Sequence, residues 1–192
     1  MRVTREQAAE NRARIVRTAG RLFRERGFDG IGVADLMKAA GLTHGGFYGH
    51  FASKDALAAE SLAEALKGSK ARWQKRAAEN PDAPLAALVD YYLSDQHRDA
   101  RALSCPVAAL ASETSRQSDA VRKSFGDGVE GLVEVLSEAM PETNPEDRRQ
   151  SALVAFSAMV GSVMLSRAVG DQTLADEILQ ASRIAFARQG EE

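Results

Sequence analysis

Two groups of residues in this chain have types and spacing suited to chemistry. The first is the run Thr43-His44-Gly45-Gly46-Phe47-Tyr48-Gly49-His50, followed shortly by Lys54. Its histidine, tyrosine and lysine side chains fit base edges and phosphate oxygens, and its glycines let backbone approach a polymer closely. The second is Cys105, directly before Pro106 at the predicted start of a helix. The positive end of a helix dipole favours a thiolate, which is the form that reacts with electrophiles and oxidants.

Other chemistries find no support. His44 and His50 fall about 240° apart on an ideal helix, and His97 is remote in sequence. They do not make a metal pair. The chain has no G-x-S-x-G elbow, no phosphate-cradling glycine loop and no clustered Cys/His spacing, so no enzyme, metal or cofactor is expected. The single cysteine excludes an intrachain disulfide framework and fits a reducing cytoplasm. No apolar signal run opens the chain. The longest apolar stretch, Ala152 to Leu165, is shorter than the roughly 20 residues of a membrane span and reads as a buried helix of a soluble protein without membrane contact.

The elements that must hold the first group are short. Val33 to Ala40 has a helical apolar spacing, Gly41 supplies the turn, and Thr43 is a preferred N-cap for a second helix. Phe47 and Phe51 share a face that can dock this second helix on the first. Helix, glycine turn, capped helix is the helix-turn-helix spacing. Before it, Thr4 to Arg26 forms an amphipathic helix with Ile15, Val16, Ala19, Leu22 and Phe23 inside and Arg14, Arg17, Arg21 and Arg24 opposite. Gly27 ends that helix. Arg2, Arg5 and Arg12 are placed to form a flexible basic arm.

Charge follows the same division. Residues 1–54 carry 10 Lys+Arg against 5 Asp+Glu, a balance of +5, and residues 55–192 carry 15 against 22, or −7. A basic module attracts phosphates, and an acidic remainder resists collapse onto the same polymer.

The stretch G-L-T-H-G-G-F-Y-G-H-F-A-S-K-D-A-L closely resembles the recognition helix and following helix of tetracycline-repressor (TetR) family transcription regulators. The resemblance is specific from about Ala13 to Leu57 and architectural beyond. It implies an all-α homodimer with an N-terminal three-helix DNA-binding module, residues 1–52, and a C-terminal effector-binding and dimerisation bundle, residues 53–192. It implies a repressor of a near-palindromic double-stranded DNA operator, acting at the nucleoid. On this reading Thr43, His44, Gly45, Gly46, Tyr48, His50 and Lys54 meet DNA. Gly32 stands where the family usually has a threonine or serine that reaches a phosphate, so that contact is expected to be missing.

The body reads as a series of helices: Ser53 to Ala78, Leu85 to His97, Pro106 to Ser115, Ser118 to Met140, Glu146 to Val169 and Leu174 to Arg188. With the module's three, that makes nine. In the eighth, Leu153, Val154, Phe156, Val160 and Leu165 wrap much of the circumference, and Ala158, Ser162 and Ser166 form a small-residue row that admits another helix. Two release routes are open. A small apolar or electrophilic effector would reach Trp73, Tyr91, Tyr92, Phe125, Phe156 and Met159, or would modify Cys105, since C-P-V-A-A-L-A-S-E resembles a TetR subgroup with a sensing cysteine there. Either would act through the helix beginning at Lys54. The alternatives are a protein-binding bundle that does not touch DNA, and an activator of the same fold.

Overall fold

The computed structural model describes residues 4–189. Among them every regular element is helical: α1 (Arg5–Arg26), α2 (Val33–Ala39), a 3₁₀ helix (His44–Gly49), α3 (Lys54–Glu79), α4 (Pro84–Tyr92), α5 (Asp95–Asp99), α6 (Pro106–Thr114), α7 (Asp119–Glu138), α8 (Pro145–Ala168) and α9 (Gln172–Gln189). The expected all-α architecture stands. There are ten elements where nine were expected, because the stretch read as one helix from Leu85 to His97 is two. Ser94 divides it: its hydroxyl donates to the Tyr91 carbonyl at 2.8 Å and accepts from the His97 amide at 3.1 Å, so it caps a new turn.

The caps follow the chemistry of the residues that form them. Thr4 Oγ1 accepts from the Gln7 amide at 3.1 Å, Ser53 Oγ from the Ala56 amide at 3.1 Å, and Asn144 Oδ1 from the Glu146 amide at 3.0 Å. Pro84, Pro106 and Pro145 each open a helix, where a missing amide costs nothing. Gly27 stops α1 at φ 78° and Gly41 ends the first helix of the turn motif at φ 69°. Phe28 then turns inward and meets Phe23, ring centre to ring centre at 5.3 Å.

The long α3 touches α1 along one side and lies against α7 along another. Their approach is close at Gly128, where a Cβ would come within 2.7 Å of Leu66 Cβ. Gly126, one turn-fraction earlier on α7, faces open space. Behind this pair, α8 packs on α7 and α9 and completes the core. It is 24 residues long and, by length and composition alone, apolar enough to cross a membrane, which the shorter Ala152–Leu165 reading did not allow. Ser162 and Ser166, from the small-residue row, are buried inside the chain; Ser162 bonds Ser182 of α9 at 2.7 Å. Ser162 of the row therefore serves α9 of the same subunit, and Ala158 is left exposed.

These two glycines give opposite expectations. Gly128→Ala forces α3 and α7 apart and should destabilise the fold by about 1–3 kcal/mol. Gly126→Ala should be neutral or stabilising by up to about 1 kcal/mol, since only helix propensity changes. Urea unfolding followed by circular dichroism distinguishes them, and equal effects would remove the steric account.

Candidate DNA-binding surface and its link to the body

The recognition segment is a 3₁₀ helix over His44–Gly49 and not the capped α-helix expected from Thr43. Thr43 sits at the N-cap position with extended backbone, but its hydroxyl makes no capping bond. Three of the six residues are glycine, which is poor material for an α-helix, and a tight short turn is the form such a segment takes between packed neighbours. Its shape comes from outside. Phe47 is fully buried, Phe51 nearly so, and their rings stack at 5.8 Å between centres. Phe51 and His50 amides both donate to the Phe47 carbonyl, at 2.9 and 2.8 Å, closing the segment on itself.

With the phenylalanines inside, the other side chains face water. Tyr48 is 69 % exposed, braced edge-on against Phe47 at 5.2 Å between ring centres. Thr43, His44 and Gly45 are exposed, and Gly46, His50 and Lys54 are half-buried. A Cβ added at Gly45 or Gly49 would meet nothing within 4 Å. All seven residues expected to meet DNA therefore fall in one segment and the start of α3. Gly32 is the N-cap of α2 and makes no side-chain bond, as its lack of a hydroxyl requires.

The basic arm is corrected in part. Arg12 lies within α1, its guanidinium 4.3 Å above the centre of the Phe51 ring and ion-paired with Glu60. It is a clamp between α1, the recognition segment and α3. Arg5 is also in α1, and Arg2 lies outside the described residues.

The module is tied to the body by a residue that the sequence did not single out. Glu113, near the end of α6, accepts the Phe28 amide at 2.8 Å. Its carboxylate occupies the space beside Gly27, where a Cβ would lie 2.6 Å from Oε2. Gly27 thus meets two demands at once, a positive φ and room for this carboxylate.

At the opposite end of α6, Cys105 is the N-cap, buried, and its amide donates to His97 Nε2 at 2.9 Å. The lowered thiol pKa expected there is overturned. Burial pushes the thiol up, and the pull of the Val107 amide and the Tyr92 hydroxyl towards thiolate is smaller. His97, sequence-remote from every motif, lies 4.5 Å from the Tyr92 ring centre to centre. Burial, and then the positive charge of Arg167, lower its pKa to about 4. Arg167 also donates to the His97 and Arg98 carbonyls at 2.9 Å each, fastening α5 to α8.

Of the residues expected to meet an effector, Trp73, Tyr92 and Phe156 form a mutual edge-to-face cluster at 5.5, 5.7 and 6.1 Å. Met159 is fully buried with them, and Phe125 is half-buried against the same core. Tyr91 stands apart: half-buried, under the Arg76 guanidinium at 4.5 Å, it lines a cleft open to solvent.

Two outcomes test this connection. Removing the carboxylate in Glu113→Ala leaves the Phe28 amide unpaired and should cost about 1–3 kcal/mol, with module amides exchanging faster by hydrogen–deuterium exchange. For His97, the neutral imidazole is stabilising above pH 6.5 and that stability is lost as pH falls towards 4, because the unfolded chain takes the proton first. The drop from 6.5 to about 4 corresponds to about 3 kcal/mol. Urea titrations at pH 7, 5.5 and 4 should show that acid-sensitive component in the wild type and not in His97→Gln.

Comparison with known proteins agrees with this geometry. The family described as "Bacterial regulatory proteins, tetR family" matches residues 15–61, and "Transcriptional regulator LmrA/YxaF-like, C-terminal domain" matches residues 81–180. The chain is 28 % identical to the HTH-type transcriptional regulator LmrA of Bacillus subtilis over 170 residues, covering 85 % of this chain and 90 % of LmrA. It is 25 % identical to the HTH-type transcriptional repressor NemR of Escherichia coli over 142 residues, 68 % of this chain and 67 % of NemR. The crystal structure of reduced E. coli NemR superposes with a TM-score of 0.78 over 93 % of this chain and 97 % of that one. A TetR transcriptional regulator from Chloroflexus aurantiacus gives a TM-score of 0.74 at 25 % identity, covering 96 % and 98 % of the two chains. Module, body and their order all match, and the chain belongs to the TetR family of bacterial transcription regulators.

Proposed function

We propose that this protein is a dimeric repressor that binds a near-palindromic operator through residues 1–52 and is released by an effector acting on residues 53–192. The observation that carries it is the exposed face of the 3₁₀ segment. Tyr48 stands 69 % exposed above a fully buried Phe47, with glycines beside it, a polar surface held rigidly from below. Tyr48, His50 and Lys54 contact phosphates and set register, and His44 meets a base edge. Ala34, exposed on α2, offers only a methyl, so groove shape adds to specificity.

Dimerisation rests on α8. Leu153, Val154, Ser157, Ala158, Leu165 and Ala168 are exposed along one stripe of that helix without a charged residue among them. A second copy of the same stripe is its natural cover. Two recognition segments then enter successive major grooves about 34–36 Å apart.

Release uses α6 as well as α3. An effector that shifts the start of α6 acts on Glu113 and, through the Phe28 amide, on the end of α1. Modification of Cys105 would act at the same place, after α6 opens enough to expose the thiol. A ligand changes operator affinity only by its differential affinity for the bound and released states.

Fluorescence anisotropy on DNA from the gene's own upstream region tests the reading. Operator affinity should fall steeply with salt, and Tyr48→Phe with Lys54→Ala should lower it by about 2–4 kcal/mol together. Unchanged binding would remove those two residues from the interface, and no retention on DNA at low salt would favour a protein-binding bundle. A quinone that releases the wild type and not Cys105→Ser selects thiol modification over a non-covalent effector.

A further inference from the structure

The arginines of α1 do not all face the same partner. Arg24 is turned into the body, its Nε donating to the Ala102 carbonyl at 2.7 Å. With Arg17 and Arg21 of α1 and Arg72 of α3 it lines a cleft of about 540 Å³ between α1, α3 and the loop before α6. That size lies within the roughly 300–1,000 Å³ of small-molecule sites.

The charge in this cleft is unbalanced. None of the four arginines forms an ion pair among the described residues. The one carboxylate on its lining is the exposed Glu64. Arg72 makes a single neutral bond, to Ser69 Oγ at 2.9 Å. Burial, and then the like charge of Arg72, lower the Arg24 pKa to about 10, the direction expected of a cation without a paired anion. Planar guanidinium forks match carboxylate and phosphate oxygens in pairs.

The cleft also has apolar lining residues. Leu103, 69 % exposed, and the half-buried Tyr91 are both part of its lining, with Val16 and Ala65. Arginines and apolar side chains in one lining define the ligand.

We propose that this cleft binds a small organic anion, a carboxylate or phosphate monoester carrying a compact apolar group, with Arg21, Arg24 and Arg72 on the anion and Leu103 and Tyr91 on the apolar part. The site spans the module and the body, because Arg17, Arg21 and Arg24 belong to α1 and Arg72 to α3. An anion held there draws the two helices together and fixes the loop that leads into Cys105. Its role as an effector, though not its capacity to bind, rests on the repressor reading above.

Calorimetric titration of the full chain tests the site with benzoate, phenyl phosphate, benzamide and inorganic phosphate. Benzoate or phenyl phosphate should bind saturably and at least about ten-fold more tightly than neutral benzamide; which of them binds better identifies the anion. Inorganic phosphate should bind more weakly than phenyl phosphate. Arg21→Gln and Arg72→Gln, both at exposed positions, should each weaken binding by about ten-fold, with circular dichroism confirming the fold and the surface variant Lys123→Gln as control. Equal binding of benzamide, or wild-type affinity in both arginine variants, overturns the proposal. So does a loss of operator binding in those variants with no anion bound by the wild type, which assigns the arginines to DNA. Anion binding that leaves operator affinity unchanged upholds the site and rejects its role as the effector site.

Discussion

The surface proposed to meet DNA depends on the burial of Phe47 and Phe51. A segment of six residues with three glycines has little helical stability of its own, so the stacked rings beneath it supply what its backbone lacks. Arg12 completes the arrangement by lying over the Phe51 ring while paired with Glu60 of α3. Three elements thereby share one aromatic anchor. The exposed polar residues need no support from one another, and the segment's sequence is free for recognition.

The body is built to hold that anchor at a defined place. α3 runs from the recognition segment into the core, and the near-contact of Leu66 with Gly128 gives it one seating against α7. α6 is a second strut, with His97 at one end and Glu113 at the other. Its ends are fixed by unlike interactions: a buried neutral imidazole accepting an amide, and a half-buried carboxylate accepting another. A perturbation at either end reaches the other through nine residues of rigid helix.

Helix periodicity and helix-start residues made most of the fold legible in the sequence, since amphipathic spacing in α1 and the Ser53 and Pro106 signals are local. The glycine turn at Gly41 was legible for the same reason. Local reasoning failed where partners are distant in sequence. Glu113 and Phe28 are 85 residues apart, and Arg12 and Glu60 are 48 apart. Neither pairing has a spacing rule. Thr43 was misread because an N-cap preference presumes an α-helix to cap, and the glycines after it do not make one. Cys105 was placed correctly at a helix start, yet the sign of its pKa shift depends on burial, a property of the whole fold. Ser94 is the instructive small case: a hydroxyl within an apolar helical period divides a helix that periodicity alone runs together.

The uncharged stripe on α8 bears on how the protein responds to its own abundance. A subunit alone would offer water one uncharged stripe of a helix whose length and composition would allow it to cross a membrane, a surface that also invites aggregation. If a second copy covers that stripe from the moment of folding, as proposed above, free monomer is not a significant pool. DNA occupancy then rises in proportion to total protein and not to its square. Gene dosage and expression noise reach the operator undistorted, and any sharpness in the response must come from the ligand.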